Sequence, residues 1–216
     1  MKPAAFSLLT ICGIEELETH AERRVTDVLS LLDPGAPEPS AFDAYNEHHR
    51  VTLRFHDIIG PQLGLTPPER KDVETILKFG KELEGQEVYS GERHLLIHCH
   101  MGISRSTAAM AMLLAQAHPE QEEEAIAQRL TSIRPKAWPN SRMIAFADEI
   151  LGREGRLTLA ARKMYGRLLA LQPHLADVMR RLGRDREVEA AIAPLVRDQI
   201  SISAPISTTS SGGMPK

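Results

Sequence analysis

The stretch Arg93-His94-Leu95-Leu96-Ile97-His98-Cys99-His100-Met101-Gly102-Ile103-Ser104-Arg105-Ser106 decides the reading of this chain. Its first part, through Ile97, predicts a buried strand. The run Thr107-Ala108-Ala109-Met110-Ala111-Met112-Leu113-Leu114-Ala115 predicts a buried helix. Between them, Cys99 and Arg105 bracket His100, Met101, Gly102, Ile103 and Ser104. A strand–loop–helix of this kind turns backbone N–H groups into the loop, at the positive end of the helix dipole. An anion such as phosphate fits there. The same N–H groups stabilise negative charge on sulfur, so Cys99 at the base of the loop is expected to ionise easily. Nucleophile, anion cradle and guanidinium clamp thus share one short segment.

The rest of the chain sets the frame for that loop. At 216 residues, one domain with extensions is expected. Hydrophobic residues at 42% permit a sizeable core, and aromatics at 4% make it aliphatic. A formal net charge of −3 lacks the basic excess of a nucleic-acid binder. Two cysteines, Cys12 and Cys99, cannot build a disulfide framework, which predicts a reducing, cytosolic setting. No apolar run reaches membrane-spanning length. The N-terminal run Ala4 to Cys12 has no small-residue cleavage site and is followed by Glu15-Glu16, so it reads as a first core strand rather than a signal segment.

Strands are expected over 5–12, 25–32 and 50–56, followed by the one ending at Ile97. An amphipathic helix is expected from Ile14 to Arg24, and a short one from Ser40 to about Glu47. Thr66-Pro67-Pro68-Glu69 reads as a capped start of a helix to about Leu83. Further helices are expected over 120–133 and from Pro139 to about Gly152, with Asn140 near the start. The fold class is therefore α/β, a central sheet flanked by helices, with the loop at a strand's carboxyl end. Leu157, Met164, Leu168, Leu171, Leu175, Val178 and Leu182 follow helical spacing, broken by Pro173. They predict a pair of helices packed on the domain surface. Arg180-Arg181-Leu182-Gly183-Arg184 reads as a solvated helix end. Residues 201–216, dominated by Ser, Thr, Gly and Pro, read as a disordered tail.

His98-Cys99, Gly102 and Ser104-Arg105-Ser106 resemble the signature of the cysteine-dependent protein tyrosine phosphatases, most closely its dual-specificity branch. Met101 departs from the pattern, standing where the branch usually has a small residue. The resemblance implies a phosphatase domain over 1–155, a helical extension over 156–200 and the tail beyond. It also implies phosphate-monoester hydrolysis through a phosphocysteine, with no metal or organic cofactor. A phosphorylated protein or peptide is the expected substrate, and neither nucleic acid nor membrane is an expected partner.

The site residues follow from the motif. Cys99 is the expected nucleophile and Arg105 the bidentate clamp on phosphate oxygens. His100, Met101, Gly102, Ile103, Ser104 and Arg105 supply the backbone cradle. Ser106 either donates to the sulfur, improving it as a leaving group, or caps the helix. His98 either tunes the loop or is a satisfied core histidine. A leaving oxygen needs a proton. The resemblance puts the general acid just after the strand that precedes the long helix, and Asp57 sits there. Asp43 lies in another segment and Asp72 within a helix. The interval from Asp57 to Cys99 is longer than the branch usually shows, with the excess assigned to the polar stretch Gly85 to Gly91. Asp57 follows Phe55-His56 rather than the Trp-Pro of the tyrosine-specific enzymes, and the only tryptophan is Trp138.

Two other readings stay open at this level. A phosphoinositide phosphatase uses the same loop but usually carries lysines in it, and this loop has none. A non-catalytic phosphate-recognition module usually lacks the Cys, the Arg or the acid, and all three are present here. Rhodaneses and arsenate reductases fit the Ser104-Arg105-Ser106 context less well.

Overall fold

The computed structural model describes residues 8–85 and 93–193. Residues 5–7 of the expected first strand, most of the Gly85–Gly91 stretch and the expected tail lie outside the described residues.

The architecture is α/β, as the strand and helix alternation implies. Strands β1 (Leu8–Gly13), β2 (Asp27–Leu32), β3 (His49–Arg54) and β4 (His94–Cys99) form one sheet in the order β1-β4-β2-β3, every pair parallel. β2 and β4 are buried along their whole length, as expected of inner parallel strands covered on both faces. Their polar residues consequently need partners. His98 Nε2 pairs with Ser30 Oγ at 2.7 Å, Arg93 Nη2 donates to Asp27 Oδ2 at 2.9 Å, and His94 Nε2 meets Thr10 Oγ1 at 2.8 Å.

The helices are α1 (Arg70–Gly85), α2 (Arg105–Ala117), α3 (Glu123–Ile133), α4 (Ser141–Ile150), α5 (Arg156–Leu171), α6 (Leu175–Arg181) and α7 (Asp185–Ile192). α2 is buried from Arg105 to Ala115 and packs against β4, α1, α3 and α4. Leu29, Leu31, Leu95 and Ile97 of the sheet join Ile76, Met110 and Met112 in the main core, which continues into Leu157, Met164 and Val188 of the C-terminal helices. Cys12, Leu17, Val25, Val28, Phe42 and Leu96 form a second, smaller core. Among the described residues, no helix is long and apolar enough to cross a membrane.

Local chemistry changes several expected elements. Ile14–His20 is a 3-10 helix, not an α-helix to Arg24. Only Leu17 in it is fully buried, so there is little apolar face to reward a longer helix. Ser40–Ala44 is likewise 3-10, with Pro39 at the N-cap. Thr66 does not cap α1: its N–H donates to His56 Nδ1 at 2.9 Å, and Asp72 Oδ2 instead accepts from Glu69 N at 2.8 Å. Asn140 does cap α4, accepting from Arg142 N and Met143 N. The expected helix pair at the C-terminal end is three helices. α6 closes in a Schellman arrangement, with Gly183 N on Arg180 O and Arg184 N on Met179 O, both at 2.9 Å, and Gly183 at φ +73°.

Candidate active site

Parallel pairing brings the carboxyl ends of all four strands to one edge, where open α/β sheets hold their ligands. Gly13 ends β1 and Cys99 ends β4; Asp33 follows β2, and Phe55 to Asp57 follow β3. The central position of β4 places the loop 99–105 amid the other three strand ends.

Cys99 is fully buried, with Sγ 3.2 Å from Ser106 Oγ. The Ser106 hydroxyl is thus within hydrogen-bond reach of the sulfur, and either atom can be the donor. Ser104, not Ser106, occupies the N-cap of α2, and its side chain makes no capping hydrogen bond. The loop then turns at Gly102, whose φ is +66°. A Cβ there would lie 2.4 Å from the carbonyl carbon of Cys12 and 2.6 Å from Gly13 N. Only glycine satisfies both the backbone angle and the contact.

The loop is braced from outside. Arg134 Nε donates to Gly102 O at 2.9 Å and Nη2 to Met101 O at 3.1 Å, while both terminal nitrogens hold Glu16. Burial alone would raise the Glu16 carboxyl, but the Arg134 hydrogen bond, with others, holds it below its usual value. Trp138 N donates to Ile103 O at 2.9 Å and Asn140 N to Ser104 O at 3.3 Å. Outside donors thus satisfy the carbonyls of Met101, Gly102, Ile103 and Ser104. His100 and Met101 are exposed, Gly102 is buried and Ile103 half-buried. The large side chain at position 101 therefore points to solvent, and its departure from the family pattern costs no packing.

Arg105 is only 2% exposed. Its Nη1 donates to Asp33 Oδ1 and to Phe55 O, each at 2.6 Å. Its Nε is buried and has no hydrogen-bond partner among the described residues. Asp33 is a site residue that sequence reasoning missed. It sits in Asp33-Pro34-Gly35, whose composition by itself reads only as a turn.

His98 is the buried histidine beneath the loop. Burial, aided by Arg50, pushes its pKa down to about 4, so the ring is neutral near pH 7. Burial also pushes the Cys12 thiol up to about 12.

Asp57 stands against the other side of the loop. Its Oδ1 accepts from Ser104 Oγ at 2.8 Å, from Asn140 Nδ2 at 2.9 Å and from Arg184 Nη2. Burial alone would raise this carboxyl, but the guanidiniums of Arg184 and Arg105 and the Asn140 and Ser104 hydrogen bonds hold it below its ordinary value. Arg184 corrects the reading of Arg180–Arg184 as a solvated helix end: it is 4% exposed and lies in the site. The Schellman turn at Gly183 swings its backbone away from the helix axis and inward. Arg-Arg-Leu-Gly-Arg carries that turn signal, with glycine just past a basic helix end.

The fold resembles that of solved tyrosine-phosphatase-like proteins. The human tyrosine phosphatase-like serine/threonine/tyrosine-interacting protein superposes with a TM-score of 0.50 at 12% identity, over 69% of this chain and 95% of that one. Human DUSP28 gives 0.49 at 16% identity, over 68% and 92%. PTPMT1, solved in complex with PI(5)P, gives 0.45 at 15% identity, over 69% and 96%. No family model and no curated protein sequence matches the chain.

Proposed function

We propose that this chain is a cysteine-dependent phosphate-monoester hydrolase acting on phosphorylated protein or peptide, with phosphotyrosine preferred. The observation that carries the reading is the constellation at the head of α2. Cys99 Sγ sits 3.2 Å from Ser106 Oγ, beside a buried Arg105 whose Nε has no partner among the described residues.

In the first step the Cys99 thiolate attacks phosphorus. The ester P–O bond breaks as the P–S bond forms, and Asp57 gives its proton to the departing oxygen. In the second, the Asp57 carboxylate takes a proton from water, which attacks the phosphocysteine and releases phosphate and thiolate. Ser106 donates to the sulfur as it departs. The backbone amides from His100 to Arg105 and the Arg105 fork hold the equatorial oxygens in both steps. The proposed chemistry uses no metal or organic cofactor. The proposed setting is cytosolic, with neither nucleic acid nor membrane as partner. A catalytic unit over 1–155 and a helical extension over 156–200 belong to the same reading.

The test is a panel of phosphotyrosine peptides, phosphoserine peptides and phosphoinositides at neutral pH, with Cys99→Ser as control. Fastest turnover on phosphotyrosine, lost in Cys99→Ser while the ligand still binds, is the expected result. The loop between Cys99 and Arg105 carries no lysine to match a polyphosphorylated ring, so faster phosphoinositide turnover would reverse the substrate ranking. Turnover near wild type in Cys99→Ser would remove the covalent mechanism.

A further inference from the structure

We infer that Arg184, delivered by the C-terminal helices, is a positioning residue for the proton donor: it pins Oδ1 of Asp57 and thereby sets which carboxyl oxygen exchanges the proton and at what pH. The inference rests on the reading of Asp57 as general acid.

Three donors converge on one oxygen. Ser104 Oγ, Asn140 Nδ2 and Arg184 Nη2 all reach Oδ1, and among the described residues no protein donor reaches Oδ2. The Asp57 side chain is 29% exposed, so Oδ2 is the oxygen left to carry a proton to the leaving group. The guanidinium does more than pair with the carboxylate. The same Nη2 donates to Asp57 O at 2.9 Å and Ser104 Oγ at 3.0 Å, and Nη1 donates to Glu187 Oε1 at 3.2 Å. One nitrogen therefore ties together the acid, its backbone and the loop, while the other end of the fork anchors the guanidinium on Glu187.

The fork is itself fixed. Glu187 is 2% exposed and accepts from Trp138 Nε1 at 2.6 Å and Ser141 N at 2.8 Å. Trp138 stacks on Tyr165 of α5 at a centroid distance of 4.5 Å, and the Tyr165 hydroxyl donates to Pro139 O. The 138–141 segment in turn holds the loop through Ile103 O and Ser104 O. The C-terminal helices and the active-site loop thus share one network, with Arg184 as the link to Asp57.

The charges around Asp57 fix the sign of the effect. Arg184 of the α6–α7 turn and Arg105 of α2 favour the ionised carboxylate. Asp33 and Glu187 face these two guanidiniums and offset them in part. Tyr165, whose phenol burial holds well above its ordinary range, stays neutral, as do Ser104 and Asn140. Removing Arg184 therefore makes Asp57 easier to protonate and leaves its orientation to Ser104 and Asn140 alone.

The experiment measures pH profiles of kcat/KM for phenyl phosphate, with a poor leaving group, and for an activated aryl phosphate. The enzymes are wild type, Arg184→Gln, Asp57→Asn and the double variant. Arg184→Gln should move the alkaline fall in phenyl phosphate turnover upward by about one pH unit or more and lower its maximum relative to the activated ester. In the Asp57→Asn background, Arg184→Gln should leave the ratio between the two substrates unchanged. Equal losses on both substrates with the profile in place would overturn the inference, as would an Arg184 effect that persists without Asp57. If Asp57→Asn alone shows no leaving-group dependence, the general-acid reading falls and takes this inference with it; that arm reports it separately. Should Arg184→Gln fail to fold, carboxyl-carbon NMR titrations of the wild type and Arg184→Lys decide. A changed Asp57 titration in Arg184→Lys, with Arg105 still in place, supports the inference, and an unchanged one overturns it.

Discussion

Arg105 Nη1 lies 2.6 Å from Asp33 Oδ1, joining the head of α2 to the end of the adjacent strand β2. The guanidinium is buried and the Asp33 side chain is 47% exposed, so the carboxylate acts from the rim of the site. This bond and the one to Phe55 O use the same nitrogen, so among the described residues Nη1 alone anchors the guanidinium to the protein.

Asp33→Ala should loosen that orientation without removing the Phe55 contact. A hydrogen bond to a charged group contributes about 1.5 kcal/mol at the low end, and exposure keeps the effect there. The expected outcome is a loss of about tenfold in kcat/KM, read mainly in KM, with the melting temperature little changed. Unchanged kinetics in Asp33→Ala would show that Phe55 O alone orients Arg105.

Asp57→Asn should slow substrates with poor leaving groups by ~10²–10⁴-fold and activated aryl phosphates less. The pH dependence has a definite sign. Asp57 is held below its ordinary value, so raising the pH depletes the protonated acid, and turnover of poor leaving groups should decline toward neutrality. Stopped assays across the acid range on both substrate types check this. Equal losses with an unchanged profile would assign the proton to another carboxyl group.

His98 should make the fold acid-sensitive. Its pKa drops from the ordinary 6.5 to about 4 in the folded chain. The unfolded chain therefore takes up a proton below 6.5 that the folded chain refuses until about 4. Stability is unaffected above that window, falls as the pH drops through it and levels off below, a loss on the order of 3 kcal/mol. Denaturant midpoints measured from pH 7 to pH 4 should fall less steeply in His98→Asn than in wild type.

Gly102→Ala should damage both stability and activity. An L-residue at a left-handed φ costs roughly 1–2 kcal/mol, and the added Cβ would also meet the Cys12–Gly13 backbone. Lowered melting temperature together with lost phosphate binding is expected. Wild-type phosphate affinity in this variant would mean that the loop tolerates a displaced β1 end.

The sequence by itself determined the strand–loop–helix at 94–117 and the α/β class. Those features are written in local terms: an apolar run, a glycine and the bracketing Cys99 and Arg105, and a second apolar run. Asn140 was legible as a helix start for the same reason, since a cap acts on its own neighbours. Tertiary structure alone decided what surrounds the loop. Asp33, Arg134 and Arg184 lie on separate segments, and the residues around them read equally well as ordinary turn and helix-end chemistry. Parallel pairing in the order β1-β4-β2-β3 brings the end of β2 to Arg105. The Schellman turn at Gly183 delivers Arg184 from the far end of the described chain. Burial then turns these residues into partners, because a charge removed from water must find an opposite charge or a hydrogen bond within reach.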